Sequence, residues 1–425
     1  MASWLMVPLS WFGLTIAAAV PAGQAVSFDQ AIGLAEQAPD VQGARRAVGA
    51  QRALAGAIPS LDANPQILVQ PGMRVAQPEN RGFEIQASLT QSWNLAGLAG
   101  ARRDAARAEG QALDAAARSR ALGQRLAAAQ AWIALWEAQE LLQVAQREVA
   151  VAAELLALVE RAAAAEAATR ADVADARTYQ AEARLAVIAA EGVAVERGLA
   201  LAREMAVPGG EGVVAAGTLP EPALPPPGSW VSVIQRAGRL HTAEARALEA
   251  RAERARLVEA RAARGTQLSL GVQVQRDQPD GLVLYGVAAV TLPVFDQGER
   301  ERSAVAARVA VAEGEAARAV LDARAEMRMS LHEVEHTGEV LKVIRDVLVP
   351  AVEDGLAARD KLFRAENATL LEVLLGRRQA LGTRARLTQA RAAEAWARVK
   401  AWILLAALEE GSAASSGQGA AGGGR

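Results

Sequence analysis

Two histidines one helical turn apart frame His332-Glu333-Val334-Glu335-His336, which fits the H-E-x-x-H pattern. In zinc peptidases that spacing sets two imidazoles on one helical face to hold the metal, with the glutamate placed as general base. A third ligand is needed, and Glu353 or Asp354 downstream is a candidate. Against this reading, the motif lies inside a long heptad-like stretch with no source for a substrate groove. The metzincin extension is absent, and the one other histidine is His241. Solvated helix positions are therefore the favoured reading of His332 and His336, and neither a metal nor a cofactor is expected. No Ser/His/Asp order and no glycine-rich phosphate loop is visible, so an enzyme is not expected.

A second set of polar residues recurs. Glu166, Thr169, Asp172 and Val173 answer to Glu366, Thr369, Glu372 and Val373, with an offset of about 200 residues. Each threonine precedes an apolar-periodic run and has an acid three residues on, the pattern that caps a helix N-terminus. Acids there favour the positive end of the helix dipole. The same offset joins Ser27-Phe28-Asp29-Gln30-Ala31-Ile32 to Ser229-Trp230-Val231-Ser232-Val233-Ile234, and Trp93-Asn94 before Gly97 to Phe295-Asp296 before Gly298. The chain is a duplicated unit, 27–208 and 229–408, and each telling ends in a turn within a helical hairpin.

The elements that position these residues follow from pattern. An Ala/Arg-rich stretch from Ser27 to about Leu61 predicts a first helix ended by Pro59. Phe83, Ile85, Ala87 and Leu89 then alternate with Glu84, Gln86, Ser88 and Thr90, a strand with one apolar and one polar face. The strands are expected over 65–76 and 82–93, and again over 266–276 and 282–292. In the second pair Leu268, Leu270, Val272 and Val274 alternate with polar residues. Strands of about ten residues span a bilayer when tilted. Long helical hairpins follow over 100–206 and 299–408. Leu122, Leu126, Ala129, Ile133 and Trp136 step by four and three along the first, a coiled-coil seam. Some 65 helical residues extend on the order of 100 Å.

Composition narrows the function. The 425 residues carry 46 basic and 48 acidic side chains, a net charge of −2, interspersed without a basic face, so nucleic acid is not an expected partner. There is no Cys, which removes disulfides, thiolate metal sites and a lipid on an N-terminal cysteine. Only 4% of residues are aromatic. Residues 1–25 have the apolar run and small-residue end of a signal peptide, though no Lys or Arg precedes the run. Residues 209–228 are a Pro/Gly-rich linker, and 409–425 a Gly/Ser/Ala-rich tail expected to lack order.

Taken together, these features resemble the TolC-type outer-membrane efflux family, including its heavy-metal cation branch. The likeness rests on Leu292-Pro293-Val294-Phe295-Asp296-Gln297-Gly298, on Val349-Pro350-Ala351 leading to Thr369-Leu370-Leu371-Glu372-Val373-Leu374, and on the duplicated order. It implies a mainly α fold with a small β part, in which three copies form one outer-membrane β-barrel continued by a periplasmic α-helical barrel. Independently, four strands cannot close a membrane barrel, whose smallest members have eight, so two or three chains must pool strands. The resemblance selects a homotrimer. It also implies a passive exit duct in the outer membrane of a Gram-negative cell, with a periplasmic adaptor and an inner-membrane pump as partners. Phe83, Ile85, Leu89, Leu268, Leu270, Val272 and Val274 then face lipid. The sparse aromatics depart from the usual interfacial girdles. The tip and gate residues are Glu166, Thr169, Arg170, Asp172, Arg364, Glu366, Thr369 and Glu372. Glu166 and Glu366 stand where the family carries glycine, Glu372 and Asp172 are candidate acidic ring positions, and Arg170 and Arg364 candidate counter-charges. A zinc metallopeptidase and a coiled-coil scaffold without a pore are the alternatives.

Overall fold

A computed structural model describes residues 23–61, 63–75, 81–207, 212–277, 281–365 and 369–421. Most of the expected signal segment and Glu366 lie outside the described residues. The first telling contains β1 (Gln24–Val26), α1 (Phe28–Ala35), α2 (Pro39–Ala57), β2 (Gln66–Val75), β3 (Arg81–Asn94), α3 (Leu98–Ala164) and α4 (Arg170–Glu204). After β4 (Val213–Ala215), the second contains α5 (Trp230–Arg236), α6 (His241–Ala263), β5 (Gln267–Asp277), β6 (Gly281–Thr291), α7 (Glu299–Val343), α8 (Val349–Arg364) and α9 (Leu370–Ala421). Strand ends match expectation to within a residue.

Four features depart from it. The first helix is two, because Pro39 opens a new helix and disfavours helical backbone at the residue before it. The linker contains β4, which pairs in parallel with β1, so Gln24 and Ala25 belong to a sheet as well as to the expected leader. α7 and α8 are joined through a π-helical turn at Ile344–Leu348, just ahead of Pro350, which has no N–H to offer the preceding turn. And α9 continues to Ala421, where Ala and Ser without Pro sustain helix past the expected start of the tail.

The chain divides into two compact units, and each draws on both tellings. One comprises Met1–Ala31, Ala131–Leu219 and Arg345–Ala392. Its centre is Trp132, fully buried, whose Nε1 donates to the Val26 carbonyl at 2.8 Å while Phe28 packs edge-on against its ring. That bond ties β1, and through it β4, to the helical hairpin. The second unit comprises Ile32–Gln130, Pro220–Ile344 and Ala393–Arg425. There α6 packs along α7, and both helices bury small or β-branched residues, among them Ala250, Ala252, Ala260 and Ala262 on α6 and Val305, Val309 and Ala312 on α7. Arg254–Glu313 and Arg308–Glu253 bridge the same helices at 2.6 and 3.2 Å. The Arg254–Glu313 pair is exposed and contributes little, and the apolar seam supplies most of the packing energy.

Candidate functional site

The second unit carries a four-stranded antiparallel sheet in the order β2-β3-β5-β6. Its register fixes which residues share a face. Ile67 and Val272 both pair with Leu89, Met73 with Phe83, Trp93 with Leu268, Ala87 with Val274, and Gln91 with Leu270. Since directly paired residues point the same way, Phe83, Ile85, Leu89, Leu268, Leu270, Val272 and Val274 occupy one face. Ile67, Val69 and Met73 join them from β2, and Leu284 and Val290 from β6. The opposite face carries Gln70, Gln86 and Gln275 in one cross-strand row, Ser88 and Gln273 in the next, and Ser92 bonded to Ser269 at 2.7 Å.

Among the described residues the apolar face is left largely uncovered. Even on the central strands Leu89 and Val272 remain 47% and 49% exposed, and at the edges Ile67 and Leu284 reach 76% and 69%. Within the chain the outer edges of β2 and β6 pair with no other described strand. A sheet with an uncovered apolar face and two free edges is unstable alone in water.

Matching turns lead from the sheet into the long helices. The Asn94 side chain accepts from the Ala96 N–H at 2.8 Å, and Asp296 accepts from the Gly298 N–H at 2.9 Å. Gly97 and Gly298 follow with φ of 75° and 72°, and each sits one residue before its helix. That left-handed backbone is where glycine is needed. The duplicated Asn/Asp and Gly therefore perform one local task twice. Asn94 also donates to the Ala262 carbonyl at 2.8 Å, anchoring the end of β3 to α6.

In the other unit, the hairpin tips are built as their sequence pattern suggests. Thr169 accepts from the Asp172 N–H at 3.2 Å, and the Asp172 carboxylate accepts from the Thr169 N–H at 2.7 Å. Thr369 and Glu372 form the same reciprocal pair, at 3.3 and 2.7 Å. These hydrogen bonds hold both carboxyls below their ordinary titration range, the Thr169 and Thr369 backbone N–H groups contributing most. For Glu372 the Arg359 guanidinium adds to the lowering. Arg359, which the sequence did not flag, is thus a cation that acts on the second tip acid. Arg170 opens α4 on its exposed side, and Arg364 closes α8.

Glu166 has φ of 60°. The Ala167 N–H reaches back to the Ala162 carbonyl at 2.8 Å and the Glu166 N–H to Ala163 at 3.1 Å, a Schellman end with Glu166 in the position usually given to glycine. The tip turn is made without glycine, at the expense of left-handed backbone on a residue with a Cβ.

The histidine motif belongs to the second unit. His332 and His336 are exposed, with ring centroids 6.2 Å apart and planes 23° from parallel. Glu333 is turned to Lys400 on α9 at 3.3 Å. His241 is buried, facing Glu244 and Glu410 at 3.5 and 3.8 Å. Among the described residues no group of three or more His, Asp or Glu is placed to hold a metal. The Glu333–Lys400 pair occupies the carboxylate that a peptidase would need as base.

The fold is that of TolC-type outer-membrane channels. A membrane protein from Pseudomonas aeruginosa superposes with a TM-score of 0.74 at 18% identity, over 89% of this chain and 90% of its own. The open-state MtrE outer membrane channel of Neisseria gonorrhoeae gives 0.71 at 16%, covering 89% and 88%. The CmeC outer membrane channel of Campylobacter jejuni gives 0.69 at 15%, covering 89% and 85%. No protein-family model and no curated protein matches the chain. Among the described residues no helix is long and apolar enough to cross a membrane.

Proposed function

We propose that the chain is one subunit of a passive outer-membrane exit channel for efflux or secretion. Three copies pool their sheets into a twelve-stranded barrel, and their helical hairpins continue it as a periplasmic conduit. A periplasmic adaptor opens the tips, an inner-membrane pump supplies the energy, and no catalytic step is assigned to the chain itself. The observation that carries this reading is the sheet: one face is apolar but for Gln91 and, at the strand ends, Arg276, the other carries Gln, Ser and Thr on β3 and β5, and both edges are available for a neighbour. Lipid covers the first face, water fills the second, and β6 of one copy pairs with β2 of the next, so that no backbone edge is left in hydrocarbon.

The dimensions support it. Phe83 and Trp93 are the aromatic residues of the apolar face, ten residues apart on β3. At about 3.3 Å per residue this is roughly 33 Å of strand, and a tilt of about 40° reduces it to a rise of about 25 Å, the height of the apolar band on such barrels. The aromatic content is low, but these two are placed at opposite margins of the band.

At the tips, three copies of Asp172 and Glu372 ring the closed end. Their capping bonds keep them ionised and fixed, so the ring favours cations and resists closure by mutual repulsion. Reconstitution in planar bilayers tests the function: discrete single-channel steps are expected, with Glu372→Ala altering conductance or cation preference. Purified protein that produces no steps in the open or adaptor-bound state would favour a scaffold without a pore.

A further inference from the structure

The channel reading does not use His332 and His336, and the geometry gives them a separate role. They lie one turn apart on α7, whose other side is anchored by buried Met327, Ser330 and Leu331, so the helix beneath them is fixed. Both rings are exposed and close to parallel, with centroids 6.2 Å apart. Residues four apart on a helix have Cβ atoms about 6 Å apart, which lets two imidazole nitrogens close on a single ion at about 2.0–2.1 Å each. Glu333 is engaged with Lys400 at 3.3 Å, and among the described residues no third His, Asp or Glu joins the pair to make a metal-holding group.

We propose that His332 and His336 form a surface chelate for a borderline divalent transition ion, Cu²⁺, Ni²⁺ or Zn²⁺. Imidazole donors suit these ions, and the order of affinity follows copper over nickel and zinc. Hard ions such as Ca²⁺ and Mg²⁺, which require oxygen ligands, are rejected. With two protein ligands the remaining positions stay open to water or to a donor from another molecule. The site is exchangeable, unlike a closed four-ligand structural centre. This assignment does not depend on the chain being a channel.

The composition makes the test clean: there is no Cys, and the third histidine, His241, is buried. Tag-free full-length protein is titrated calorimetrically with NiCl₂ and CuCl₂, with CaCl₂ as control. One transition ion per chain is expected, and no response to Ca²⁺. His332→Ala and His336→Ala should each weaken binding at least tenfold, and the double variant should remove the saturable phase. Glu333→Gln should leave affinity unchanged. Circular dichroism confirms that each variant keeps its helix content. Saturable binding that survives in the double variant, singles that bind as the parent does, or a Glu333→Gln loss equal to that of a histidine would each overturn the chelate.

Discussion

Leu89 and Ser88 are neighbours on β3 that point to opposite faces of the sheet, so one substitution made at each site separates the two environments. Leu89 pairs with Ile67 and Val272 on the apolar face, and Ser88 with Leu68 and Gln273 on the other. Leu89 lies four residues from Trp93 and six from Phe83, which places it roughly 10 Å inside one margin of a band about 25 Å high. An arginine at that depth on the lipid side destabilises a barrel by about 2–4 kcal/mol. Three copies make this about 6–12 kcal/mol for the assembly, comparable to the whole stability of many folded domains. At Ser88 the guanidinium meets water, and the change is expected to stay within about 0.5 kcal/mol. The assay is refolding from urea into phospholipid vesicles, read by protection of the barrel from protease. Leu89→Arg should abolish or strongly reduce the protected oligomer while Ser88→Arg leaves it near the parent level. Equal effects, or the reverse order, would refute the assignment of faces.

Further expectations concern the helix ends. Replacing Glu166 by Gly removes left-handed strain of about 1–2 kcal/mol against an unfolded-state penalty of about 0.5–1 kcal/mol. A net gain of roughly 0.5–1 kcal/mol should appear in urea denaturation, and a loss would contradict the Schellman assignment. Ala206, with φ of 52° at the end of α4, is the same case, and Ala206→Gly should stabilise by a similar amount. Because the Asp172 and Glu372 carboxyls titrate below their ordinary range, their contribution is present above about pH 4 and is lost as pH falls through the lowered folded value. Asp172→Asn with Glu372→Gln should flatten the fall in thermal stability between pH 5 and 2.5, and an unchanged slope would show that these caps do not carry it.

Much of this architecture is local and was legible. The period-two alternation of Phe83 to Thr90 and of Gln267 to Gln275 located the strands because each side chain's face depends only on its own position in the pleat. The Thr-x-x-Asp and Thr-x-x-Glu caps span four residues and formed as written. The pairing of β1 with β4 was not legible, since three residues near each end of a span of about 190 carry no alternation to announce a parallel contact. Pro39 and Pro350 were visible, yet whether a proline splits a helix or widens it into a π turn depends on what the flanking turns pack against. At the tips the sequence proposed Arg170 and Arg364 as counter-charges by proximity in the chain. Arg359, thirteen residues before Glu372, also acts on it, because the two helices of the hairpin bring them together.

The central claim is that one face of the sheet meets hydrocarbon and the other meets water. A native chain without cysteine allows it to be measured directly, by single-cysteine spin labels at successive positions from Phe83 to Trp93 in reconstituted vesicles. Accessibility to oxygen should peak at Ile85, Ala87 and Leu89 and fall toward Phe83 and Trp93. Accessibility to a water-soluble nickel complex should peak at Gln86, Ser88 and Thr90. A scan without that two-residue alternation, or one in which the nickel complex reaches Leu89 as freely as Ser88, would contradict the account.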